Sequence, residues 1–180
     1  LAVAVALHAV SDGRVVARLK WPNDVLVQGA KLAGILLEGG AAAGWVVVGI
    51  GVNLRHAPAL ADRPVTSLAT LGLSDVTPET FLTALERPLA ERYAVWEAGG
   101  FAPLRRAWLD AAHGIGHEVT LHRGRETIRG RLADLAADGS IMLESAAGNL
   151  TLFTAGELAF TVTAPPAAEP SGPDLRPVQG

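Results

Sequence analysis

A lysine, a carboxylate and a primary amide lie close together near the start of this chain. Lys20-Trp21-Pro22-Asn23-Asp24 is followed after six residues by Lys31-Leu32-Ala33-Gly34-Ile35-Leu36. Lys31 opens a segment that is otherwise apolar. A lysine facing a water-poor pocket can hold a carboxylate or stabilise charge developing on a phosphoryl group. The competing reading is an exposed hairpin lysine that solubilises a sheet edge. Further on, Gly49-Ile50-Gly51-Val52-Asn53 ends a strand-like run. Alternation along a strand puts Gly49, Gly51 and Asn53 on one face, stripped of side chains up to the amide. Such a face admits a ligand or a neighbouring backbone, and tight helix-on-sheet packing over two glycines accounts for it equally well. The run is no dinucleotide fingerprint, because the third glycine and the phosphate-binding helix are missing.

The elements that position these groups follow from periodicity and turn chemistry. Residues 1–10 read as a buried helix ending at Ser11-Asp12-Gly13, and residues 15–21 as a strand. Pro22-Asn23-Asp24 has turn chemistry. Residues 25–28 and 31–38 read as a hairpin around Gly29-Ala30, a Gly-X pair suited to a type II′ turn. That turn pairs Gln28 with Lys31, Leu26 with Ala33, and Asp24 with Ile35. Four residues of strand cover about 13 Å, so Asp24 and Lys31 are expected to flank a ligand without bonding each other. Residues 39–44 read as a flexible loop. Residues 45–54 are nearly all apolar and read as a strand covered on both faces.

Residues 56–77 read as loop, with a short helix near 67–71. Thr77 then caps a helix with Pro78 at its first position and acid in its first turn. It runs toward Trp96 and stops at Gly99-Gly100, with Pro88 inside it as an expected kink. A helix over 101–112 follows. Segments 117–122, 126–135, 140–144, 150–154 and 158–162 read as short strands between Arg-Gly, Asp-Gly and Gly-Asn turns, a small β-barrel of SH3-like size. Residues 164–180 hold five of the eleven prolines and read as a disordered tail. The expected domains are 1–113, 114–163 and that tail.

Composition bounds the function. Across 180 residues, 49% apolar and 18% charged content gives a sizeable core and excludes global disorder. A net charge of −3 without a basic cluster gives no support to nucleic-acid binding. Zero cysteines exclude disulfide and thiolate chemistry and fit a reducing, cytoplasmic setting. No apolar run approaches a membrane span. His113, His117 and His122 match no zinc spacing and are expected at the surface or in turns. Glu79, Glu86 and Glu91 with Arg87 and Arg92 read as a solvated helix face, and Trp96 and Trp108 as core anchors.

KWPND at Lys20–Asp24, KLAGIL at Lys31–Leu36 and GIGVN at Gly49–Asn53 occur in the order found in bacterial biotin protein ligases, which residues 1–163 resemble. The resemblance implies an α+β fold, a mixed sheet with packed helices followed by an SH3-like barrel. It implies ATP-dependent joining of biotin to a carrier lysine through biotinyl-5′-AMP, with magnesium present and a biotin carboxyl carrier protein or related carboxylase domain as acceptor. On this resemblance Lys31 and Asp24 serve catalysis. Trp21, Asn23, Gly34 and Lys31 line the biotin and biotinyl-AMP site, and Gly49, Gly51 and Asn53 lie toward the phosphates. No protein metal ligands are expected. The family's upstream half, with its GRGRxGR loop, precedes the region matched here, so the chain is expected to be the C-terminal portion of such a ligase. Some relatives carry an arginine in the last β-module strand, where Thr161 stands here. Two other readings remain: a lipoate ligase or octanoyltransferase, against which the Trp-Pro pair and the β-module speak, and a non-catalytic remnant that binds biotinyl-AMP. The 25–38 hairpin could serve a homodimer by edge pairing.

Overall fold

A computed structural model of the chain describes residues 1–40, 44–59 and 63–160. The expected tail over 164–180 and the position of Thr161 lie outside the described residues. The chain divides into two compact units, Ala2–Leu89 and Ala90–Gly180. This division falls inside a helix, upstream of the domain boundary expected at 113/114.

In the first unit, α1 (Ala2–Val10) packs on β1 (Ala17–Lys20). Its alanines and valines are small enough for the helix to bury Ala2, Val3, Ala4, Ala6 and Leu7. Left-handed Asp12 and Gly13 end it, with the Gly13 amide donating to the His8 carbonyl at 2.8 Å. Buried Ser11 ties this corner to the next strand, accepting from the Val15 amide at 3.1 Å.

Strands β1, β2 (Asp24–Val27), β3 (Ala30–Gly40) and β4 (Trp45–Val52) form an antiparallel sheet in the order β1-β2-β3-β4. The β2–β3 hairpin corrects the expected register. Val27 pairs with Ala30, so the turn is Gln28-Gly29, both left-handed at φ 51° and 79°. Two positive φ values make a type I′ turn, whose twist matches the strands, and the partner of Leu26 becomes Lys31 in place of Ala33, that of Asp24 Gly34 in place of Ile35. Both hairpin strands are interior to the sheet over residues 24–34, and β3 runs on past β2, its residues 36–40 pairing with β4 alone among the described strands. The outer strands are β1 and β4. Cover on both faces was expected for β4, but among the described residues Trp45, Val46, Val47 and Val48 are exposed, as are Leu36 and Leu37 opposite them. Apolarity alone marks a strand that wants cover, and no element among the described residues supplies it.

The loop after β4 has turns over residues 68–72 where a short helix was expected. Thr77 then opens α2 (Pro78–Gly99), its hydroxyl accepting from the Thr80 amide at 3.2 Å. Thr77→Ala is expected to destabilise the protein by about 1 kcal/mol, read as a lowered urea midpoint with unchanged slope. The Glu79 carboxyl, in the first turn, is held below its ordinary value by its own main-chain amide and then by Thr77. The helix continues through Pro88, whose ring is buried, and the packing offsets the missing hydrogen bond. Trp96, expected in the core, is exposed instead, with its ring 5.7 Å from that of Tyr93.

In the second unit, α3 (Phe101–Ala111) leads into β5 (Glu118–Arg123), β6 (Glu126–Leu135), β7 (Ile141–Glu144), β8 (Leu150–Phe153) and β9 (Glu157–Phe160). They form one antiparallel sheet in the order β8-β7-β6-β5-β9, around Val119, Leu121, Leu132, Ile141, Leu143 and Leu158. Arg105 on α3 donates to the Leu135 carbonyl and pairs with Asp134 at 2.6 Å, fastening the helix to β6. Of the three histidines, His117 and His122 are exposed, and His113 stacks edge-on against Phe160 at 4.5 Å.

Candidate functional site

The chemistry gathers where β2, β3 and β4 lie side by side. Leu26 pairs with Lys31 and Val25 with Ala33, which leaves Leu32 as an extra residue, a β-bulge. Leu32 is fully buried, and the bulge returns Lys31 to the face that carries Asp24. Lys31 Nζ sits 2.5 Å from Asp24 Oδ1, which forms no further hydrogen bond. The two groups therefore bond directly, contrary to the flanking arrangement expected from an unbroken hairpin. The carboxylate is only 7% exposed and the lysine 29%, so the pair is half in and half out of the protein. A buried carboxylate needs such a partner, and a partly open ammonium keeps hydrogens for a ligand.

Gly34 makes room for this arrangement. It stands between Asp24 and Gly51 in the row Asp24–Gly34–Gly51 across three strands. A Cβ at Gly34 would lie 3.3 Å from Lys31 Nζ and 3.8 Å from Asp24 Oδ1. Gly34→Ala should push the ammonium by a few tenths of an ångström and cost about tenfold in turnover, whereas Gly34→Val should approach the loss of the lysine itself. Steady-state rates for the two variants check this grading, and equal activity in both would refute it.

The glycine face beyond is open. A Cβ at Gly51 would meet nothing nearer than the Gly34 carbonyl at 3.9 Å, and one at Gly49 the Leu36 carbonyl at 3.5 Å. No helix packs over these glycines among the described residues. Two hollows in this unit lie elsewhere: one of about 310 Å³ is lined by Arg14, Val27 and Gln28 among others, the second by Ala9, Glu79 and Thr83. Neither is lined by Lys31 or Asp24.

Around the pair, Trp21 is buried and follows β1, and its peptide bond to Pro22 is cis. Asn23 is exposed next to Asp24, and its carbonyl accepts from the Ile35 amide at 2.9 Å. The main chain of Lys31 is gripped from the other side. Its amide donates to the Pro64 carbonyl and its carbonyl accepts from the Thr66 amide, both at 2.9 Å, as Val65 runs parallel to it. Asn53, just past β4, donates its Nδ2 to the carbonyls of Thr66 at 3.0 Å and Lys31 at 3.5 Å. Nothing in the sequence marked residues 64–66 as more than loop; the only signal was Thr66-Ser67, which the fold buries.

No group of three or more histidines and carboxylates is gathered for a metal among the described residues, and none of their helices is long and apolar enough to cross a membrane.

Known proteins converge on this region. The chain is 39% identical over 139 residues to a biotin--[acetyl-CoA-carboxylase] ligase of Paracoccus denitrificans, covering 72% of this chain and 58% of that protein. It spans about half the length of the curated relatives it matches. An arginine-to-glycine variant of biotin protein ligase from Aquifex aeolicus, in complex with biotin, superposes with a TM-score of 0.76 at 25% identity, covering 89% of this chain and 68% of that one. The same ligase in complex with biotin and ATP gives a TM-score of 0.74 at 26% identity, covering 88% and 66%. The model of the biotin/lipoate A/B protein ligase family matches residues 1–110, which include the bulge, the ion pair and the bare glycine row, and the chain belongs to that family.

Proposed function

We propose that the protein containing this chain joins biotin to a lysine of a biotin carboxyl carrier protein, or of a related carboxylase domain, using ATP. The observation that carries the reading is the Asp24–Lys31 pair facing the open Gly34–Gly51 row. One biotin carboxylate oxygen attacks the α-phosphorus of ATP. The bond from that phosphorus to the bridging oxygen breaks, pyrophosphate leaves, and biotinyl-5′-AMP remains. The carrier's lysine amine then attacks the acyl carbon, an amide forms, AMP departs, and the amine loses a proton.

The residues act mainly through position and charge. Lys31 lies beside both the carboxylate and the α-phosphate and stabilises the charge that builds between them. Asp24 holds the ammonium in line. Gly34 keeps that corner open, Trp21 backs the wall and Asn23 borders its solvent side. Gly49 and Gly51 give the phosphates a surface without side chains, and Asn53 ends that row. Magnesium would come with the ATP phosphates. The carboxylate at this corner, Asp24, is already paired with Lys31, so these residues do not by themselves make a cation site. The five-stranded C-terminal sheet is read as the family's SH3-like module.

Pyrophosphate release from ATP by the full-length protein tests the reading, with biotin, lipoate and octanoate offered separately. Release with biotin alone supports it, and release with lipoate or octanoate alone reassigns the acid. No release with any acid leaves a protein that only binds.

A further inference from the structure

Asn53 touches both members of the bulge that sets the face of Lys31. Its main-chain amide donates to the carbonyl of Leu32, the extra residue, at 2.9 Å. Its side-chain Nδ2 donates to the carbonyl of Lys31 at 3.5 Å and of Thr66 at 3.0 Å. Thr66 in turn donates its own amide to the Lys31 carbonyl, and the Asn53 carbonyl accepts from Leu68, each at 2.9 Å. One residue thus binds β3 at its bulge to the segment that runs alongside it. Two carbonyl acceptors require the nitrogen, and not the oxygen, of the amide to face them. With both amide hydrogens engaged, Asn53 offers only Oδ1 outward, and an oxygen acceptor cannot hydrogen-bond an anionic phosphate.

We infer that Asn53 is a positioning residue: it holds the Lys31–Leu32 bulge and, through it, keeps the Lys31 ammonium against Asp24. Side-chain alternation makes this a sensitive control, because a strand without its bulge turns Lys31 to the opposite face. The inference rests on the reading of Lys31 as the charge-stabilising group in adenylation. Serine would be too short to reach either carbonyl, and aspartate would set an oxygen against both.

A double-mutant cycle in the full-length protein tests it, read as biotin-dependent pyrophosphate release. Asn53→Ala and Asn53→Asp should each lower kcat by roughly a hundredfold, the cost of about an ångström of misplacement, with KM for ATP little changed. In the Lys31→Ala background the same changes should cost less than about twofold, since their effect passes through the lysine. Equal losses in both backgrounds, or a loss confined to KM for ATP, would overturn the inference in favour of direct phosphate contact. A second readout is independent of turnover: the ε-methylene resonance of Lys31, assigned by its absence in Lys31→Ala. Asn53→Ala should move it toward the position of exposed lysines, in the direction expected of Asp24→Asn. An unmoved resonance overturns the inference even if the protein proves to activate no acid, and that absence of activity would by itself count only against the ligase reading.

Discussion

Lys31→Ala is expected to lower biotin-dependent pyrophosphate release by about a hundred- to a thousandfold, the range seen when one preorganised electrostatic contact to a transition state is lost. Lys31→Arg should not restore the rate. A guanidinium is broader than an ammonium and planar, and the space over Gly34 is cut to the ammonium, with Nζ only 3.3 Å from where a Cβ would stand. The mutation also strands Asp24, a carboxylate 7% exposed, without its partner. A stability loss of roughly 1–3 kcal/mol should accompany the kinetic one, and the double variant Lys31→Ala, Asp24→Asn should recover part of the stability but none of the rate. Denaturant midpoints beside turnover separate the two effects. A Lys31→Ala protein that releases pyrophosphate at the wild-type rate would remove the basis of the mechanism.

The largest effect on stability is expected at Gly114, between α3 and β5. It is left-handed at φ 83°, and a Cβ there would collide with the Phe160 ring, which itself packs edge-on against His113. Gly114→Ala should therefore cost about 2–5 kcal/mol, the sum of backbone strain and overpacking. Gly116 is the internal control: it has the same φ of 83°, but a Cβ would meet nothing within 4 Å. Gly116→Ala should cost only about 1 kcal/mol. Urea unfolding of the two variants decides the matter, and equal losses would mean that Phe160 does not seal this corner.

Much of the fold was legible because local chemistry agreed with it. Thr77-Pro78 marks the start of α2, Gly99-Gly100 its end, and the Arg-Gly, Asp-Gly and Gly-Asn turns separate β5 from β6, β6 from β7 and β7 from β8. The site was legible as a set of residues but not as a geometry. Gly29-Ala30 looked the better turn because glycine led it, whereas the fold puts Gln28 at φ 51° and takes the type I′ twist. The bulge at Leu32 leaves no trace in alternation, and without it the Asp24–Lys31 pair could not be read. The edge position of β4 was hidden because exposed and buried apolar strands have the same composition. The clamp from Thr66 and Asn53 onto Lys31 joins residues far apart in sequence, through carbonyls that every residue possesses.

The most direct test of the central claim, that biotin's carboxylate and the α-phosphate meet at Lys31, is a crystal structure of the full-length protein with a non-hydrolysable biotinyl-adenylate analogue. The account predicts Lys31 Nζ within about 3 Å of the acyl-phosphate linkage, and the ligand lying over Gly34 and Gly51. An analogue bound elsewhere, or a linkage that Lys31 does not reach, would contradict it.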